Sequence, residues 1–128
     1  MGMDYSYAGS ASYPRFDEEL CAVAEVLGGV QTKHLKERKA TENERVLGYW
    51  FGFLSSDDSD KTKFVFPEGT NETIVKWFNN IYGDDFTVEE TKIVWEYVSK
   101  HPEIDEISHQ IWYELKTCVE LNDAWYIT

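Results

Sequence analysis

Apolar side chains recur along much of this chain at the three- and four-residue spacing of a helix face, with three stretches between residues 30 and 66 that read as strands instead. From Pro14 the apolar positions Phe16, Leu20, Val23 and Leu27 lie four, three and four apart, which predicts a helix over 14–27 with one inward stripe. Asp17, Glu18 and Glu19 are expected in its first turn, where the helix dipole favours negative charge, and Gly28-Gly29 supplies the stop. Ahead of it, the first twelve residues are rich in Gly, Ser, Ala and Tyr and are expected to wrap the surface or pair with a sheet edge.

Residues 30–36 read as a short strand, followed by a charged connection from Lys36 to Glu44. The most apolar segment is Val46 to Leu54. Aromatic and β-branched residues with two internal glycines favour a strand there, apolar on both faces and therefore central. Ser55 to Asp60 is a polar turn, and Thr62 to Phe66 alternates as an antiparallel return strand, with Phe64 and Phe66 on one face.

Three more helices are predicted. The first carries the stripe Ile74, Trp77, Phe78 and Ile81, capped by Thr70 or Asn71 and ended by Gly83. The second opens on Thr87-Val-Glu-Glu90, a capping-box pattern, and turns Val94, Tyr97 and Val98 inward, with Trp95 beside that stripe. The third starts near Pro102 and runs to about Leu121, with Ile104, Ile107, Ile111, Leu115 and Cys118 inward. The apolar tail Ala124 to Ile127 is expected to add an edge strand or fold over the core. The fold class is therefore α+β, a small antiparallel sheet of about three strands packed with four helices, in one domain spanning 1–128.

The chain is strongly and unevenly acidic. Twenty-four acidic residues oppose twelve basic ones, for a net charge of −12. Residues 83–128 hold eleven acids and three bases, a net of −8, whereas residues 30–48 hold three acids and five bases, a net of +2. Such a field repels nucleic acid and anionic membranes and attracts a basic protein partner. No stretch reaches the ~18 apolar residues of a membrane span, and the opening residues carry no signal-peptide pattern, so the expected location is cytoplasmic.

Candidate chemistry is sparse. Cys21 and Cys118 form no CxxC pair and are expected as buried thiols. His101, Asp105 and His109 share a spacing of four that would suit a divalent metal, but Pro102 takes His101 out of the helix, and no metal is expected. The Asp57-Asp58-Ser59-Asp60 cluster lacks the glycine and distal glutamate of a calcium loop. Neighbouring carboxylates carry little information in a chain with 24 acids, and no phosphate loop, GxSxG or HExxH pattern occurs. No catalytic residue and no cofactor are expected, which favours a binding protein over an enzyme.

The run Tyr5-Ser-Tyr-Ala-Gly-Ser-Ala-Ser-Tyr-Pro-Arg-Phe16, the short acidic chain and its twenty aromatic residues together resemble, in style, small proteins of the bacterial mobile gene pool such as integron cassette products and toxin-immunity proteins. That resemblance implies an accessory cytoplasmic protein, often oligomeric, and assigns no residue a role.

Two sets of residues follow as binding candidates. Glu89, Glu90 and Glu96, with Trp95, Trp112 and Tyr113 as aromatic anchors, would form an acidic helical surface for a basic protein. Alternatively Tyr49, Trp50 and Phe51 would line an aromatic cleft for a small molecule, in a binding domain or an enzyme. A homo-oligomer is compatible with either reading.

Overall fold

The computed structural model describes residues 2–31, 64–81 and 85–128, which form four short strands and five helices. In chain order these are β1 (Gly2–Asp4), β2 (Ser10–Ser12), α1 (Tyr13–Val26), β3 (Val30–Gln31), β4 (Phe64–Val65), α2 (Glu72–Asn79), α3 (Val88–Val98), α4 (Glu103–Ile107) and α5 (His109–Glu120). The class is α+β with antiparallel pairing, as expected. The central strand expected over 46–54, with its flanking connection and polar turn, lies outside the described residues.

The hydroxyl of Ser12 accepts from the Arg15 amide and starts α1 one residue before Pro14, which sits in the first turn where its missing N–H costs nothing. This start places Asp17, Glu18 and Glu19 beyond the first turn, so they do not cap the dipole as the sequence suggested. Phe16, Leu20, Val23 and Ala24 are fully buried along the inward stripe. The two glycines then have different tasks. Gly28 takes the left-handed conformation, φ 91°, while the Gly28 amide donates to Glu25 (3.0 Å) and the Gly29 amide to Ala24 (2.8 Å), which satisfies two terminal carbonyls. Gly29 is needed for space. A Cβ there would stand 2.8 Å from the ring of Phe66, which is buried.

β3 pairs with β4 directly, Val30 opposite Val65 and Gln31 opposite Phe64. Asn79, at the end of α2, fastens β4 by accepting from the Phe64 amide (2.7 Å) and donating to its carbonyl (3.1 Å). Asn71 caps α2, and the helix ends at Asn79. The Thr87 box at α3 forms in full: Thr87 Oγ1 accepts from the Glu90 amide and Glu90 Oε1 accepts from the Thr87 amide, both at 3.1 Å. The helix expected over 102–121 is two helices. Ser108 leaves helical geometry (φ −147°, ψ 90°), and its side chain caps α5 by accepting from the Ile111 amide. Apolar periodicity runs through this break because Ile104, Ile111, Leu115 and Cys118 are buried on both sides of it.

At the other end of the molecule, β1 and β2 form a hairpin, and the tail pairs with the outer side of β1. Asp4 and Thr128 exchange backbone bonds of 2.8 and 3.1 Å. The tail thus adds an edge pairing, as expected, whereas the first twelve residues form a hairpin of their own and bury Met3, Tyr5 and Ala11 rather than wrapping the surface or joining another sheet. A continuous line of aromatic contacts then connects the two small sheets, running Phe16, Tyr5, Trp125, Trp77, Phe78 and on to Phe64 and Phe66, with ring centroids 4.8–5.9 Å apart. Much of the aromatic excess therefore lies in the core. The indole N–H groups of Trp77 and Trp125 are buried without an acceptor among the described residues, a cost the apolar burial has to offset.

Gly29→Ala should lower stability by about 1–3 kcal/mol, because the buried Phe66 ring cannot yield without disturbing the core. Urea denaturation tests this: the midpoint falls while the m-value stays constant, and an unchanged midpoint would contradict the packing.

Candidate functional site

The turn between β1 and β2 lies against α5, held by side chains one helical turn apart. Gly9 adopts φ 85° and its carbonyl accepts from the Tyr5 amide (2.8 Å), closing the turn so that three successive amides point the same way. All three donate to Glu114, a carboxylate with no exposed surface. Its Oε1 accepts from Tyr7 (2.8 Å) and Ala8 (3.0 Å), and its Oε2 from Ser6 (3.1 Å). Four residues earlier, the amide nitrogen of Gln110 donates to the carbonyls of Ala8 (3.0 Å) and Ser10 (2.9 Å). Gln110 therefore holds the turn's carbonyls and Glu114 its amides.

Between the turn and the helix runs a cleft of about 260 Å³ lined by Tyr7, Ala8, His109, Gln110 and Tyr113. Tyr7 is fixed at two points, its amide on Glu114 and its phenol donating to Asp123 at 2.5 Å. That hydrogen bond raises the Tyr7 phenol to about 12, with smaller contributions from desolvation and the nearby charges of Asp123, Cys118 and Glu114. The same bond, with the Ala124 amide, holds Asp123 below its ordinary value. On the opposite wall, the Tyr113 ring lies 5.9 Å from the His109 ring, whose Nδ1 is 2.6 Å from Asp105. The contact with Asp105 orients the His109 ring at the cleft wall. Among the described residues no hydroxyl or thiol is hydrogen-bonded to His109, so no nucleophile–base pair is assembled there.

The residues singled out from sequence separate in space. Glu89 and Glu96 are exposed on α3, with Glu89 only 3.8 Å from Lys92. Glu90 is committed inside the molecule: besides its capping role it pairs with Lys76 at 2.8 Å, and these bonds hold its carboxyl below the ordinary range. Trp95 and Trp112 are half-buried and pack edge-on against each other, centroids 4.8 Å apart, where α3 crosses α5. Tyr113 stays 44% exposed and lines the cleft. Tyr49, Trp50 and Phe51 lie outside the described residues. His101 is near Glu103 (3.5 Å) rather than joining His109, and no group of three metal-ligating side chains occurs among the described residues. Cys21 and Cys118 are thiols rather than a disulfide pair. Cys118 is buried beside Glu114, and burial, then the charges of Glu114 and Asp123, push it to about 12. No described helix is long and apolar enough to cross a membrane.

Sequence reasoning missed Glu114, Gln110 and Tyr7. The one local sign was an acid at position 114, inside the inward stripe of Ile111, Leu115 and Cys118. No family model, curated protein or solved structure matches this chain.

The Tyr7–Asp123 bond requires a protonated phenol and an ionised carboxylate. Its contribution is fully present between 3.8 and 10.0, the two ordinary values, and is lost as pH rises through about 12 or falls below 3.8. Alkaline difference spectra against Tyr7→Phe should show this phenolate forming near 12, and Asp123→Asn should return it toward 10.0. Titration near 10.0 in the unaltered chain would contradict the bond.

Proposed function

We propose that this chain is a protein-binding module whose acidic, tyrosine-bearing surface, on its helical C-terminal third and the N-terminal turn docked there, engages a basic partner. The observation that carries this reading is the identity of the large apolar side chains left exposed. Among the described residues these are Tyr7, Tyr13, Tyr113, Leu121 and Tyr126, each 38–59% exposed. Four of the five are tyrosines, which bury a large ring against a partner at little entropic cost while keeping a polar tip in water.

Charge supplies the second component. Glu89, Glu96, Glu103, Glu106, Glu120 and Asp123 are all exposed, in the region whose net charge is −8. Carboxylates of this kind speed encounter with a basic surface, while aromatic anchors set the lifetime of the complex. Glu90 is removed from the candidate set by its internal bonds. The Trp95–Trp112 pair holds α3 against α5, and the anchoring role passes to Tyr113 and Tyr7. A second copy of the chain fits this surface less well, because two such surfaces repel.

Capture from cell lysate at low and high salt identifies the partner, whose association is then timed. The triple variant Glu89→Lys, Glu96→Lys, Glu120→Lys should slow association roughly ten- to a hundredfold at low salt and leave dissociation nearly unchanged. Retention of nothing basic, or an association rate indifferent to both salt and charge reversal, would overturn the reading.

A further inference from the structure

We propose that the cleft between the 5–9 turn and α5 receives an arginine side chain of the basic partner, stacked between Tyr7 and Tyr113. The inference rests on the partner-binding reading and names where the partner's charge is read. Three features of the cleft point to a planar cation.

Its walls are aromatic and held in place. Tyr7 is anchored through its amide and its phenol, while Tyr113 lies alongside the ring of His109. Cations are attracted to ring faces, and a guanidinium, flat and weakly hydrated, stacks there better than an ammonium. Its volume of about 260 Å³ is ample for such a group.

Its surroundings are anionic. No lining residue carries a fixed positive charge, yet three carboxylates bond directly to the lining: Asp123 to the Tyr7 phenol, Asp105 to His109, and Glu114 to the amides of Tyr7 and Ala8. The opposing base is Lys116, exposed one turn beyond Tyr113 and the sole Lys or Arg on α5.

One lining side chain also has an acceptor with no donor. The amide nitrogen of Gln110 is occupied by two carbonyls, which fixes the orientation of the amide, and its Oε1 is buried without a hydrogen-bond partner among the described residues. A guanidinium supplies N–H donors of the kind this oxygen lacks.

The test is an NMR titration of the full chain, labelled with fluorotyrosine, against a short blocked peptide containing arginine and its lysine and citrulline counterparts. Tyr7→Phe and Tyr113→Phe assign the two resonances. Arginine peptide should shift both resonances saturably, lysine peptide should bind more weakly, and citrulline peptide should leave them unmoved. Tyr113→Ala should weaken the arginine peptide about threefold to thirtyfold. Lys116→Glu, on an exposed position, should tighten it several-fold. Equal response to citrulline, absence of saturable shifts, or indifference to both substitutions would overturn the cleft as an arginine site. If the peptide fails while a partner still associates in a salt-dependent manner, the acidic-surface reading survives without the cleft; if both fail, both are wrong.

Discussion

A single buried carboxylate orders the N-terminal end of this molecule. Removing a carboxylate from water costs several kcal/mol, and one isolated hydrogen bond does not offset it. Glu114 is accommodated because three amides from one turn converge on it, each charge-assisted bond contributing about 1.5–3 kcal/mol. The dependence is mutual, since the turn directs three amides at one carboxylate and Glu114 has no exposed surface for water. Placing the turn places β1, and β1 in turn offers its outer side to the tail, bringing Trp125 over Trp77 and Tyr5 against Phe16. Core packing and terminal pairing are thus linked through one side chain.

The acids of this chain divide by what they touch. Glu90 and Glu114 are engaged within the fold, one in a helix cap with Lys76 and one under the turn, while Asp105 and Asp123 orient His109 and Tyr7 at the surface. Glu89, Glu96, Glu103, Glu106 and Glu120 remain exposed. Net charge alone cannot make this division. A partner would meet the exposed group first and the oriented group at close range, where fixed geometry matters more than field strength.

Features set by neighbouring residues were legible in the sequence. The stripe of α1, the Thr87 capping box and the glycine stop after α1 each depend on contacts within a few positions. Features set by distant residues were not. Glu114 takes its three amide donors from residues more than a hundred positions away, so among 24 acids it looked like any other. The break at Ser108 was hidden because the apolar spacing continues across it. The capping role of Glu90 was legible from Thr87, but its pairing with Lys76 was not, since Lys76 belongs to another helix. Tyr113 was recognised as an aromatic outside the core stripe, but the opposite wall of its cleft, Tyr7, comes from the first strand connection and had no local signature.

The most direct measurement of this account is native-state hydrogen exchange at the amides of Ser6, Tyr7 and Ala8. Ser6 and Tyr7 belong to an exposed turn, where amides ordinarily exchange through small local openings. If the buried Glu114 carboxylate holds all three, they should exchange only through large-scale unfolding, at protection close to that of Leu115 and Cys118 in α5. Exchange at the rate of an open turn, such as Glu68-Gly69, would mean that Glu114 does not organise this end of the fold and that the cleft built on it is not pre-formed.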